Sequence, residues 1–321
     1  MPEIPTAGGP IDTGALGRTL IHEHVFVMTT EVQANFKTDW DEERNVTDAI
    51  AKLTALKEAG IDTIADPTVV GLGRYIPRIV EIAKQIDLNI VVATGVYTYN
   101  DLPKYFTLRG PFMGLDRPDP MVDMFVTDIT AGIGDTGVRA AFLKCAIDEP
   151  GMLPGVERIL RAVAKAHLRT GAPIMVHTHP GTERGLEVHK VLQEEGVVPS
   201  AVCLAHSGDS GDPDHLSHLA DLGYLLGMDR FGVDMYLPFE KRVEMVAELI
   251  RRGYGERMAL AHDASCYFDW VEPSMLEAAP NWNFLHISKD VLPALRDLGV
   301  TDAQIDTLLV DNPRRWFETA R

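Results

Sequence analysis

One unit recurs along the chain: an amphipathic stretch, a glycine where a helix would stop, then a short apolar run rich in β-branched residues. In VTDAIAKLTALKEAG, Ile50, Leu53 and Leu56 share one side and Gly60 stands just past the helix end, after which IDTIADPTV begins. VERILRAVAKAHLRTG precedes APIMVHTH in the same way, with Val156, Ile159, Leu160, Val163 and His167 along one stripe, and EEG, DLG and RRG each precede a further strand candidate. The candidates are Thr19 to Val27, Ile61 to Thr68, Asn89 to Tyr97, Ala140 to Ile147, Pro173 to His179, Ala201 to His206, Tyr224 to Met228 and Met258 to Asp263, which makes eight.

Strands that alternate with helices pair in parallel through right-handed crossovers. Eight such units predict an α/β chain closed as a (β/α)8 TIM barrel. The alternative, an open doubly wound sheet, would carry a Gly-rich phosphate turn after its first strand, and none is present. A length of 321 residues allows one large barrel or two smaller domains, but no Ser/Gly or Pro-rich linker divides the chain. The expectation is a single domain over residues 1–321, with SKDVLPALRDLG and TDAQIDTLLVDNPRRWFE as helices that complete the outer ring.

A formal charge of -17 and the absence of any Lys/Arg run argue against nucleic acid and anionic membrane as partners and favour a small molecule. The opening MPEIPTAGGPID lacks a basic segment followed by an apolar one, and no later window is long enough to span a bilayer, so a cytoplasmic protein is expected. Cys145, Cys203 and Cys266 are too scattered for a disulfide framework and form no C-x-x-C pair. They are expected to be reduced packing residues.

Active sites of such barrels lie at the C-terminal ends of the strands, where the polar residues collect. TLIHEHVFV places His22 and His24 two residues apart, so both rings face one space if the strand is regular. Two hydrogen-bonded core histidines would satisfy that pattern, and so would a metal ion. Lys144, in AAFLKCAID, sits among apolar residues; it either snorkels to the strand's mouth or is buried. Burial lowers a lysine's pKa, and a neutral amine can add CO2 to form an anionic carbamate able to bridge two cations. Asp263, in ALAHDAS, shares a face with Ala259 and Ala261 and either caps the following loop or meets a cation. With His177 in MVHTHP and His206 in CLAHSGDSGD, four histidines, one lysine and one aspartate lie at five strand ends. That set suits two divalent ions such as zinc, cobalt, iron or manganese.

HEH, FLK, HTHP, HSGDSGD and HDAS, in this order, resemble the phosphotriesterase group of the amidohydrolase superfamily. ATGVYTYNDLPKYF, LLGMDRFGVD and NPRRWF narrow the likeness to the phosphotriesterase-like lactonases, over essentially the whole chain. The resemblance implies a hydrolase that opens N-acyl homoserine lactones, hence quorum quenching, and related lactones, and hydrolyses organophosphate triesters weakly. It implies that His22, His24 and Asp263 hold the more buried metal and His177 and His206 the more exposed one, with a carboxylated Lys144 and a hydroxide between them. Tyr97 would lie beside that hydroxide, Arg230 would support the site from the seventh loop, and the enzyme would be a homodimer. Hydroxide would attack the lactone carbonyl and Asp263 would carry the proton to the leaving alkoxide.

In the family an aromatic residue and a cysteine often follow the metal-binding aspartate, whereas Ala264 and Ser265 stand here and would widen the substrate channel. From Ser265 to about Leu285 the connection is long and carries Tyr267, Phe268, Trp270, Met275, Trp282 and Phe284, which suits an acyl-tail channel or a dimer interface. Tyr97, Arg230, Ser265, Tyr267 and Trp270 are therefore the expected substrate contacts. His167, His189, His215 and His218 are expected to be structural or solvated, and His179 shares a face with His177. Glu23 should point away from the metals, toward a partner that spacing does not identify. A dedicated phosphotriesterase would keep the metals and reshape the loops; a non-catalytic binding barrel would lose ligands.

Overall fold

The computed structural model describes residues 2–111 and 117–319. Eight parallel strands form one sheet: Thr19–Leu20, Thr63–Asp66, Asn89–Gly95, Phe142–Ala146, Ile174–His177, Val202–Ala205, Leu225–Met228 and Met258–Leu260. Each pairs with its neighbour in chain order. The Ile21 amide donates to the Leu260 carbonyl at 3.2 Å, bringing the first strand back against the eighth. The result is the (β/α)8 barrel that the alternating pattern predicts.

The helices follow from the same local signals. Glu42–Glu58 begins where the Asp41 side chain accepts from the Arg44 amide, and ends before Gly60 at φ 92°. Pro154–Thr170 ends at Gly171, which is left-handed at φ 71°, and Val156, Ile159, Leu160, Val163 and His167 are all buried. In the C-terminal helices, wide turns at Ile287–Val291 and Thr307–Asp311 come just before Pro293 and Pro313. A proline has no N–H to give the preceding turn, and the wider turn accommodates that loss. Trp316 donates its indole N–H to the Ala201 carbonyl at 3.2 Å and packs on Phe142 with ring centroids 5.6 Å apart. Both partners stand at strand beginnings, so this helix covers the N-terminal end of the barrel and leaves the opposite end for chemistry.

Two expectations need correction. The stretch 19–27 is not one strand: the chain bends over 21–23, and His24–Val27 pairs in parallel with Ser265–Phe268 instead of staying in the barrel wall. The bend stands beside Asp263, which takes a left-handed φ of 55° at the end of the eighth strand, and the segments that follow the two bends pair with each other. The connection after Asp263 is likewise no bare loop, because it contains that strand and the short helix Pro273–Glu277.

Candidate metal centre

Despite the bend, His22 and His24 converge, with ring centroids 5.3 Å apart. His22 and His206 rings lie 5.0 Å apart and those of His206 and His177 4.4 Å. Lys144 stands mid-strand, where Gly95 of the third strand approaches so closely that a Cβ there would meet the Lys144 carbonyl oxygen at 1.8 Å. The two backbones can come together only at a glycine, here at φ 152°.

The tautomer of each ring follows from what stands behind it. His22 Nδ1 is 2.9 Å from Asp229 Oδ2, and His206 Nδ1 is 3.0 Å from Asp229 Oδ1. A carboxylate accepts, so both Nδ1 atoms carry the proton and both Nε2 lone pairs face inward. His24 Nδ1 donates at 2.7 Å to Thr68 Oγ1, whose own proton is given to Asp66. His177 is turned the other way: its Nε2 donates to Asp148 Oδ2 at 2.5 Å, leaving Nδ1 for the site. Four lone pairs therefore look into one volume.

Their spacing suits cations. Asp263 Oδ1 lies 3.3 Å from His22 Nε2 and 3.3 Å from His24 Nε2. His206 Nε2 and His177 Nδ1 face each other at 2.8 Å. Lys144 Nζ is buried and has no hydrogen-bond partner among the described residues, a costly state for an amine unless chemistry at the site uses it. These observations fit a metal position between His22, His24 and Asp263, with the facing His206 and His177 nitrogens beside it and Lys144 lining the same cavity. A second cluster within ligand distance, His22, His206 and Asp229, is better read as support, since both Asp229 oxygens already face N–H donors.

The electrostatics agree. Burial lowers the Lys144 pKa to about 8 against the pull of Asp263 and Asp229, bringing the neutral amine within reach of physiological pH. Burial also lowers His177 to about 4, against its bond to Asp148, and holds His206 well below the usual imidazole range. Neutral imidazole is the metal-binding form. Burial would raise the Asp263 carboxyl, but the surrounding charge, including the Arg230 guanidinium 3.0 Å from Oδ2, keeps the group well below the usual carboxylate range.

Arg230 donates from Nε to Asp263 Oδ2 at 3.0 Å and from Nη1 to Asp209 Oδ2 at 3.0 Å. Arg242, buried behind it, pairs with Asp209 Oδ1 at 2.6 Å. Tyr97 sits over His177 with centroids 5.4 Å apart, and burial raises its hydroxyl pKa, keeping it a donor. Above the centre opens a cavity of about 360 Å³. Its floor is the histidines, Lys144 and Asp263, and one wall is Leu72, Phe268, Trp270, Val271 and Met275. Ser265 and Trp270 line it.

Tyr267 does not. Its ring packs on Trp40 at 4.8 Å, and Trp40 in turn packs on Phe26 at 5.5 Å, so this aromatic stack draws it to the outer side of the connection. Phe284 is buried in the core. His167 bonds the Ala172 carbonyl, His189 the Tyr224 hydroxyl and His179 the nearby Thr182, all away from the centre.

Asp229, Asp148, Thr68 and Asp209 were missed by reading the sequence. Asp229 and Asp148 carried a usable signal, an acid directly after an apolar strand run. Asp229 bonds both His22 and His206, and a Cβ at Gly227 would come within 2.5 Å of its Oδ2, so Gly227 makes room for it. Asp229→Ala should leave three N–H groups unpaired and free two rings. The expected result is a drop in metal affinity of roughly 10–100-fold, measured by competition with a chromogenic chelator; unchanged affinity would make Asp229 a bystander.

Comparison with known proteins gives consistent results. The family profile described as Phosphotriesterase family matches residues 2–317. A Phosphotriesterase homology protein of Mycobacterium tuberculosis is 58% identical over 320 residues, covering 99% of this chain and 98% of its own. An Aryldialkylphosphatase of Saccharolobus solfataricus is 36% identical over 318 residues, covering 98% and 99% respectively. The structure of the phosphotriesterase from Mycobacterium tuberculosis overlays with a TM-score of 0.97 at 58% identity, over 99% of this chain and 98% of that one.

Proposed function

The chain belongs to the phosphotriesterase family, and from that premise we propose that it is a lactonase acting on N-acyl homoserine lactones and related lactones, with weaker activity on organophosphate triesters. Enzymes of this family are hydrolases built on a binuclear divalent metal centre. Zinc, cobalt, iron or manganese would suit the donors present. Bound there, the two cations would supply Lewis acidity and make water a nucleophile near neutral pH.

The protein's own residues do the rest. His22, His24 and Asp263 would hold one ion and His177 and His206 the other. The Lys144 amine would add CO2, releasing one proton, to give an anionic carbamate that would supply further oxygen donors to the cations. Asp263, between the metal position and Arg230, would take the proton from attacking water and return it to the ring oxygen as the lactone C–O bond breaks. Tyr97, kept protonated, would donate to the carbonyl oxygen as it gains charge. Arg230, anchored on Asp209, would fix the direction of Asp263.

The observation that carries the substrate class is the cavity's asymmetry, a polar floor beneath a wall of Leu72, Phe268, Trp270, Val271 and Met275. An amphipathic substrate with one reactive head and one apolar tail matches it. The name of the Saccharolobus relative favours a second reading, a dedicated aryldialkylphosphatase.

Purified enzyme assayed against a long-chain acyl homoserine lactone and paraoxon separates the two. The expected kcat/KM is higher for the lactone by about a hundredfold or more, a difference of roughly 3 kcal/mol in the barrier; the reverse order supports the triesterase. Stripping metal with a chelator should abolish both activities, and divalent cations should restore them. Binding of lactone without turnover, even with metals supplied, would point to a binding barrel. Among the described residues no helix is long and apolar enough to cross a membrane. The same likeness supports a homodimer, for which light scattering would give about twice the chain mass of 35.4 kDa.

A further inference from the structure

We propose that Glu23, the central residue of HEH, is a positioning residue for Asp263. Its side chain is fully buried on the side of the chain away from the metal positions. Glu23 Oε1 accepts from the His262 amide at 2.7 Å and lies 2.7 Å from His262 Nδ1, while Oε2 accepts from the Ala264 amide at 3.0 Å. His262 Nε2 accepts from the Ile287 amide at 2.8 Å, which places the ring proton on Nδ1, so Glu23 receives three N–H groups.

Two of those groups are the amides on either side of Asp263. That residue stands in the left-handed region at φ 55°, a conformation that needs support in a residue with a Cβ. Glu23 holds the turn by its N–H groups. Trp282 holds it by its carbonyls, its indole N–H lying 3.1 Å from the His262 oxygen and 3.0 Å from the Asp263 oxygen. Backbone bonds from Asp263 N to His22 O at 3.1 Å and from His24 N to Ala264 O at 2.8 Å complete the lacing. One residue thereby sets the spacing of all three ligands of the buried metal position: it separates the two histidines in the chain and clamps the aspartate between them.

The proposal rests on the metal centre described above, and metal binding rather than turnover is its first readout. In Glu23→Gln the remaining oxygen keeps the His262 contacts, but the amide group meets the Ala264 N–H donor to donor. The expected result, in protein that remains folded by circular dichroism, is a roughly 10–100-fold loss of affinity for one of two zinc equivalents in chelator competition, with kcat falling and KM nearly unchanged. Glu23→Asp keeps the charge but is one methylene too short to reach both amides, and an intermediate loss is expected; it also serves as the test should the glutamine variant not fold. Wild-type zinc affinity in either folded variant overturns the proposal. If the wild-type protein itself bound no zinc, the metal centre would be at fault instead.

Discussion

Lys144→Met should abolish hydrolysis while making the metal-free protein more stable. Methionine matches the length and shape of the lysine stem but removes the Nζ atom, which is buried without a hydrogen-bond partner among the described residues. Relieving a buried unpaired polar group is worth about 1–3 kcal/mol, which shifts the melting temperature of a chain this size up by a few degrees, roughly. Activity responds in the opposite direction. On the proposed chemistry the amine is the group that would take up CO2 and supply oxygen donors to the cations, so a loss of about a thousandfold or more in kcat/KM is expected, equivalent to roughly 4 kcal/mol of barrier. Thermal unfolding of metal-stripped protein, followed by activity after reconstitution, measures both. Wild-type turnover in the methionine variant would remove Lys144 from the chemistry, and a lower melting temperature would show that the amine has a structural partner.

Asp263→Asn tests the other charged group at the centre. Asparagine, like aspartate, tolerates a left-handed backbone, so the turn at φ 55° should survive and the protein should fold. The side chain cannot serve both of its neighbours. Asp263 Oδ1 faces His22 and His24, while Oδ2 accepts from Arg230 at 3.0 Å. An amide must present N–H either to Arg230 or to the metal position, and it carries neither the charge nor a transferable proton. A drop in kcat of about 10²–10⁴ is expected, with a smaller change in KM. Metal content measured on the same preparation distinguishes a lost ligand from a lost proton carrier. Retained kcat would end the proton-transfer role.

Much of this protein is legible in one dimension. The helix–glycine–strand unit exposes its period, and all eight strand segments fall inside the stretches read from it. His22, His24, Lys144, His177, His206 and Asp263 stand out because polar groups in apolar runs violate the burial pattern around them. Tyr267 and the break after Leu20 were not legible. The ring goes to Trp40, and the break stands beside a left-handed residue some 240 positions later.

By itself, the order of residues determined the number of barrel units, the end of the barrel that bears chemistry and the donor types collected there, because periodicity and local turn signals act over a few residues. Only the tertiary structure decided which nitrogen of each histidine faces the cavity, and which acid enforces it. Asp229 reaches His22 across 207 positions and Glu23 reaches His262 across 239. Such pairings depend on strand register and on backbones meeting at Gly95 and Gly227, which no local pattern encodes.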